Sequence, residues 1–196
     1  MKEGRVKLAV LASGSGSNAE ALCRHFAQSE VAEIVAVGCN RPEEKAGVYG
    51  RLRPLGYEVE RVRTEDLVDG TLAQRWKQRG IAGVVLAGFL VHVPERFLDA
   101  FPGKVLNIHP ALLPAFGGQG MYGMRVHEAV HAAGVRESGM TVHRVNAEYD
   151  RGEILFQATT ALGQADEPAD IAAKVLALEH RFFPQVVERE VATWHT

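Results

Sequence analysis

The sequence predicts an α/β protein built on a doubly wound, mostly parallel sheet, with antiparallel late strands and a long carboxyl-terminal helix. Three observations predict it. Apolar runs of strand length alternate with helical patterns from Val6 to Ile108, the pattern of a parallel sheet with crossover helices. A glycine- and serine-rich turn, Ser13-Gly14-Ser15-Gly16-Ser17-Asn18, separates the first run from the first helical pattern. Near the end, the β-rich segments Gly139 to Val145 and Glu153 to Leu162 are separated only by Asn146–Gly152. That gap is too short for a helical crossover, so the two segments should pair antiparallel.

The elements follow in order. Val6 to Leu11 is a buried first strand, and Ala19 to Gln28 reads as a helix. Val31 to Cys39 is a second buried strand ending at Asn40-Arg41-Pro42. Glu43 to Leu55 reads as helical, with Gly56 as its stop. Tyr57 to Val62 alternates as a more exposed strand, and Asp69 to Arg79 is a helix closed by Gly80. Gly83 to Ala87 is a fourth buried strand, with Gly88-Phe89-Leu90 beginning its exit loop. Pro94 to Phe101 is a short helix with proline at its start. Val105 to Ile108 is the fifth strand, Pro114 to Met124 a glycine-rich loop, and Arg125 to Ala133 a helix. Pro168 to Val191 is the long closing helix, with Asp166 or Glu167 near its cap.

The 196 residues suffice for one domain spanning 1–196, and no repeat, low-complexity stretch or linker divides them. Hydrophobic residues at 46% and charged ones at 23% are ordinary globular usage. A net charge of -2 provides no broad basic surface, which argues against a nucleic-acid partner but leaves room for a local anion pocket. Cys23 and Cys39 are far apart and form no Cys-x-x-Cys, so they read as reduced thiols of a cytoplasmic protein. No apolar run reaches membrane-span length, and Met1-Lys2-Glu3-Gly4-Arg5 leads straight into a strand pattern rather than a signal peptide.

The strongest candidate site is Val105-Leu106-Asn107-Ile108-His109-Pro110. Alternation puts Asn107 and His109 on one strand face and Ile108 on the other, and Pro110 forces the chain out of the sheet. An amide and an imidazole then stand together at a strand's carboxyl end, where open α/β sheets bind ligands. The simpler alternative is a hydrogen-bonded Asn and a capping His. At Ser13–Asn18, glycines let backbone amides converge beside a helix amino end, which suits an anion such as a monophosphate. Ala19 breaks the dinucleotide fingerprint, and no Gly-Lys-Ser/Thr follows. Asp150, in the loop between the two late strands, is a solvated turn residue unless the fold carries it to His109.

His127-Glu128-Ala129-Val130-His131 matches the zinc-protease pattern, a remote alternative, since the five α/β units before it would then have no task. Glu179 on the last helix could face the ligand end, although a solvated glutamate is the simpler reading. His143 reads as a partly buried strand histidine. Arg51, Arg53, Arg61 and Arg63 form a loose basic cluster, read as a solvated face that could meet an acidic substrate tail.

Leu86-Ala87-Gly88-Phe89, then Asn107-Ile108-His109-Pro110-Ala111-Leu112-Leu113-Pro114, then Asp150 before Gly152, together resemble the folate-dependent formyltransferases. The whole chain is similar to the branch of that family that formylates glycinamide ribonucleotide in purine synthesis. The resemblance implies a Rossmann-like fold, monomeric or homodimeric, and no metal. It implies 10-formyltetrahydrofolate as co-substrate, with Asn107, His109 and Asp150 as the catalytic trio and His143 supporting them. It assigns Gly16, Ser17, Asn18 and Glu179 to the ribonucleotide. It assigns Leu90, Val91, His92 and Val93, together with Asn146, Ala147, Glu148 and Tyr149, to the folate. Three departures stand out: Val91 replaces a common arginine, the loop Phe116 to Met124 is longer and richer in glycine, and no arginine matches the one that meets the folate glutamate tail. A methionyl-tRNA formyltransferase would be expected to add a basic carboxyl-terminal domain, and a folate deformylase an amino-terminal one.

Overall fold

The computed structural model describes residues 4–195. Its strands are β1 (Val6–Ala12), β2 (Ala32–Cys39), β3 (Val59–Arg61), β4 (Gly83–Leu86), β5 (Val105–His109), β6 (Glu137–Arg144) and β7 (Ile154–Ala161). They form one sheet in the order β3-β2-β1-β4-β5-β6-β7. The first five are parallel, and β6 and β7 each run antiparallel to the strand before. The helices are α1 (Ser17–Phe26), α2 (Val48–Leu52), α3 (Thr64–Val68), α4 (Thr71–Gln78), α5 (Glu95–Ala100), α6 (Met124–Ala132) and α7 (Pro168–Ala192). The expected fold class is the one observed.

Strand alternation builds two cores, one on each sheet face. Leu8, Val10 and Ala12 of β1 pack with Leu22 and Phe26 of α1 and Phe183 of α7. Ala9 and Leu11, pointing the other way, pack with Trp76 of α4, Phe97 and Phe101. Where a strand is buried on both faces it has no room for polar residues, hence the continuous apolar run Leu8–Ala12, with Lys7 exposed near the strand's start. On β5, Leu106 and Ile108 join the first core and Val105 the second. Asn107 and His109 therefore share the face of Val105 where the strand runs out of core. Helix α7 begins with Pro168 and a capping box in which Glu167 and Asp170 each accept from the other's backbone amide. It buries Ile171, Val175, Glu179, Phe183, Val187 and Val191, one residue per turn along a single stripe.

The structure departs from the sequence expectation in two places. Glu43 to Leu55 is not one helix but a 3-10 turn at Glu43–Lys45, the short α2, and a second 3-10 turn at Arg53–Leu55. Ala46 is extended, with φ −142°, and Pro54 is accommodated only where a new turn begins. Ahead of α4 lies α3, which the pattern did not suggest; Gly70, at φ +83°, separates the two. The loose basic cluster is the solvated face expected of it: Arg51, Arg53 and Arg63 are exposed and pair with Glu20, Glu43 and Asp66. Among the described residues, no helix is long and apolar enough to cross a membrane.

Candidate functional site

The strand order reverses between β1 and β4, whose connections leave toward opposite sides of the sheet. Ligands in such sheets bind at that switch point, outside the carboxyl ends of the strands. A cavity of about 480 Å³ lies there. Its walls come from the loop after β1, the loop after β4, the end of β5, the glycine-rich loop with the first turns of α6, and α7. Ser13 ties the first two together: its amide donates to the Gly88 carbonyl at 3.1 Å, and its Oγ accepts from the Leu90 amide at 2.9 Å.

The turn after β1 leads into α1 with Gly16 at the N-cap, φ +78° and no side-chain cap. The first-turn amides of a helix have no carbonyl within it to bond, so they remain available to an anion. A side chain at Gly16 would meet Val48 of α2 at 2.6 Å, so glycine is required both for the backbone angle and for this approach. Gly16, Ser17 and Asn18 all line the cavity.

Across the cavity, β5 and β6 set the other group. Their antiparallel register puts Asn107 opposite His143. His143 Nδ1 lies 2.9 Å from the Arg144 carbonyl and must carry the proton; its Nε2 therefore accepts from Asn107 Nδ2 at 3.0 Å. Burial holds His143 below the usual histidine range, which favours this neutral tautomer. His109 is buried, and its Nε2 donates to the Phe116 carbonyl at 2.8 Å. Its Nδ1 lies 3.5 Å from Asp150 Oδ2, so both ring nitrogens face acceptors. Asp150 also accepts from the Gly118 amide at 2.8 Å, and its other oxygen lies 3.7 Å from His143 Nε2. Asp150 and Phe116 both sit at positive φ, 54° and 56°, a conformation uncommon outside glycine. The exit after His109 is pinned by Thr141, whose Oγ1 donates to the Ala111 carbonyl and accepts from the Leu113 amide. Asn107, His109 and Asp150, remote in sequence, thus share one wall of the cavity.

Glu179 is buried rather than solvated, and its Oε2 accepts from Asn18 Nδ2 at 2.7 Å. The surrounding α7 stripe is apolar, and this desolvation raises its pKa from 4.5 to about 7, with the Asn18 bond opposing. A carboxyl group raised by folding destabilises the native state once it ionises. That contribution is absent below the unfolded value of 4.5, grows through the interval, and is complete above about 7. Glu179→Gln is therefore expected to exceed the parent in stability by about 3 kcal/mol at pH 8, the gap closing toward pH 4.5. Denaturant midpoints at several pH values measure this, and two parallel curves would refute it.

The residues matched to folate divide. Leu90 and Tyr149 line the cavity, both partly exposed. His92 joins the two loops: its Nε2 lies 3.2 Å from the Ala147 carbonyl and its ring 4.7 Å from that of Tyr149. Val93 is buried in the second core and Val91 packs against it. Asn146 accepts from the Glu148 amide and shapes the turn. These six residues lie outside the cavity lining. The zinc-protease pattern comes apart: His127 is buried, whereas His131 is exposed and bonded to the Asp166 carbonyl. Among the described residues, no three His, Cys, Asp or Glu side chains gather to hold a metal. The sequence reading missed the Phe116 carbonyl and the Gly118 amide, backbone groups that no side chain marks, and the place of His127 in the cavity wall.

A doubly wound sheet with a glycine-rich turn at its switch point and an amide, an imidazole and a carboxylate beside it defines an α/β fold with a polar site at the carboxyl ends of its strands. The chain belongs to the formyl transferase family, whose model matches residues 6–187. It is 39% identical over 188 residues to the chloroplastic phosphoribosylglycinamide formyltransferase of Arabidopsis thaliana, covering 93% of this chain and 64% of that one. The chain thus spans somewhat less than two thirds of the plant relative. It is 29% identical to the phosphoribosylglycinamide formyltransferase of Bacillus subtilis (strain 168), with 93% of each covered. The crystal structure of glycinamide ribonucleotide transformylase 1 from Symbiobacterium toebii superposes with a TM-score of 0.86 at 31% identity, covering 95% of this chain and 88% of that one.

Proposed function

We propose that this chain transfers the formyl group of 10-formyltetrahydrofolate to the amine of glycinamide ribonucleotide, a step of purine biosynthesis. One observation carries the reading: Asn107, His109 and Asp150 meet on the wall of a cavity that also receives the uncapped amino end of α1. The phosphate sits on the amides of Gly16, Ser17 and Asn18. Glu179 takes ribose hydroxyls, beside an Asn18 Oδ1 that is buried without a partner. The pterin lies against Leu90 and Tyr149, on loops shaped by Val91, His92, Val93, Asn146, Ala147 and Glu148.

Amine attack on the formyl carbon puts negative charge on the formyl oxygen. Asn107 and His109 donate to that oxygen, each such donor being worth about 3 kcal/mol. His143 supports them by fixing the Asn107 amide. In the structure the Phe116 carbonyl holds His109 Nε2. Substrate oxygen takes over that donor, and Phe116 yields. Asp150 faces the other ring nitrogen, orients the ring and passes the proton of the attacking amine toward the departing folate nitrogen, through water. No step calls on a metal. The partners are these two small molecules, with no nucleic acid or membrane among them. Two buried free thiols, Cys23 and Cys39, fit a reducing compartment such as the cytoplasm.

The test is a turnover assay with 10-formyltetrahydrofolate and glycinamide ribonucleotide, methionyl-tRNA, or water alone as acceptor. Deformylated folate is expected only with the ribonucleotide. Equal turnover with methionyl-tRNA or with water alone would replace this function by one of the two other folate chemistries.

A further inference from the structure

His127 belongs to the cavity wall but has no task in the scheme above. It lies in the first turns of α6, is 6% exposed, and its Nδ1 has no hydrogen-bond partner. Neither ring nitrogen is hydrogen-bonded among the described residues. Leaving a buried polar atom unpaired costs stability, and well-packed interiors avoid it. Val126 and Val130 anchor α6 in the first core, and His131 fastens it to the Asp166 carbonyl ahead of α7. The ring is therefore held where it is by its neighbours on the helix rather than by a partner of its own.

Its protonation follows from the surroundings. Burial and the nearby His109 both hold His127 below the usual histidine range, so the ring is neutral at pH 7 and carries one proton. Nδ1 is enclosed, and an enclosed lone pair is tolerated more readily than an enclosed N–H. The proton is then on Nε2, and the ring offers the cavity a neutral donor. His127 lines the same cavity as Asn107 and His109, which mark its reacting end. A neutral donor at that end suits a neutral acceptor.

We propose that His127 is a substrate-binding residue whose Nε2 donates to the carbonyl oxygen of the glycinamide arm, the amide that joins the aminoacyl group to the ribose. The proposal rests on the function given above and assigns it one more contact. The arm is then held on one side by α6 while its amine faces Asn107 and His109.

Calorimetric binding of glycinamide ribonucleotide and of ribose 5-phosphate, which lacks the arm, tests it. His127→Leu is expected to weaken the ribonucleotide about tenfold, the effect of one hydrogen bond, and to leave ribose 5-phosphate unchanged. His127→Gln, whose amide reaches the Nε2 position, is expected to recover most of the loss. His127→Asn stops short of that position and repeats the loss if the leucine variant does not fold. Unchanged ribonucleotide affinity in the leucine or asparagine variant overturns the contact. Equal weakening of both ligands overturns its assignment to the arm. A folded parent protein that binds ribose 5-phosphate but not the ribonucleotide overturns the function itself, and this contact with it.

Discussion

Replacing His109 by alanine is expected to lower kcat by about 10²–10³-fold, the effect of losing one donor to developing negative charge. The protein should remain folded. His109 ends β5, and the strand is fixed by Leu106 and Ile108 in the core and by β4 and β6 on either side. Removing the ring frees the Phe116 carbonyl and leaves Asp150 bonded to the Gly118 amide, so no buried charge is stranded. Asn107→Ala is expected to cost a similar factor, again in kcat more than in KM. There the partner left behind is the buried Nε2 of His143, so a modest loss of stability accompanies the kinetic one. Asp150→Ala tests the proton path, and general acid–base groups contribute about 10²–10⁴-fold. Single-turnover rates with melting curves separate chemistry from folding. Full activity in Asp150→Ala would remove the relay, and full activity in His109→Ala would remove the site.

These side chains differ in how visible they were before folding. Asn107 and His109 were legible because their pairing is local: alternation fixes which residues share a face, and Pro110 marks where the strand must end. The neighbour of Asn107 was legible only through the family resemblance, not from the local pattern. His143 stands opposite it only because β6 adds antiparallel in one register, which is set by burying Met140 and Val142. Glu179 is an intermediate case. Its place in a stripe spaced by four, between Val175 and Phe183, was readable on α7. Whether that stripe was buried at the ligand end depended on where α7 came to lie. The carboxylate of Asp150 was visible, but its distance to His109 depended on a loop turning through a left-handed angle. The Glu43 to Leu55 segment fails for a local reason, since the helical pattern there outweighed the breaks at Gly47 and Pro54.

Gly152→Ala is expected to damage both stability and turnover, although the residue touches no substrate. A Cβ at this position would lie 1.6 Å from the Arg144 carbonyl oxygen and 2.7 Å from its carbon. Both are backbone atoms, so the clash cannot be relieved by turning a side chain. The carbonyl that would have to move is the one holding His143 Nδ1, and through His143 it orients Asn107. The same strand end is tied across the turn by the Arg144 amide, which donates to the Glu153 carbonyl at 2.9 Å. Asp150 lies two residues before the clash, so displacing the turn also carries its carboxylate away from His109. Overpacking of this kind costs about 3 kcal/mol, enough to lower the melting temperature by roughly 10 °C in a chain of this length. Turnover should fall further than the folded fraction does, because two of the three catalytic side chains are positioned through this contact. Gly50→Ala is the matched control: it lies within α2, with nothing within 4 Å of the added methyl, and should be neutral or slightly stabilising. If Gly152→Ala loses stability but keeps its specific activity per folded molecule, the tight turn serves the sheet alone. Asp150 would then reach His109 by some constraint other than this backbone contact.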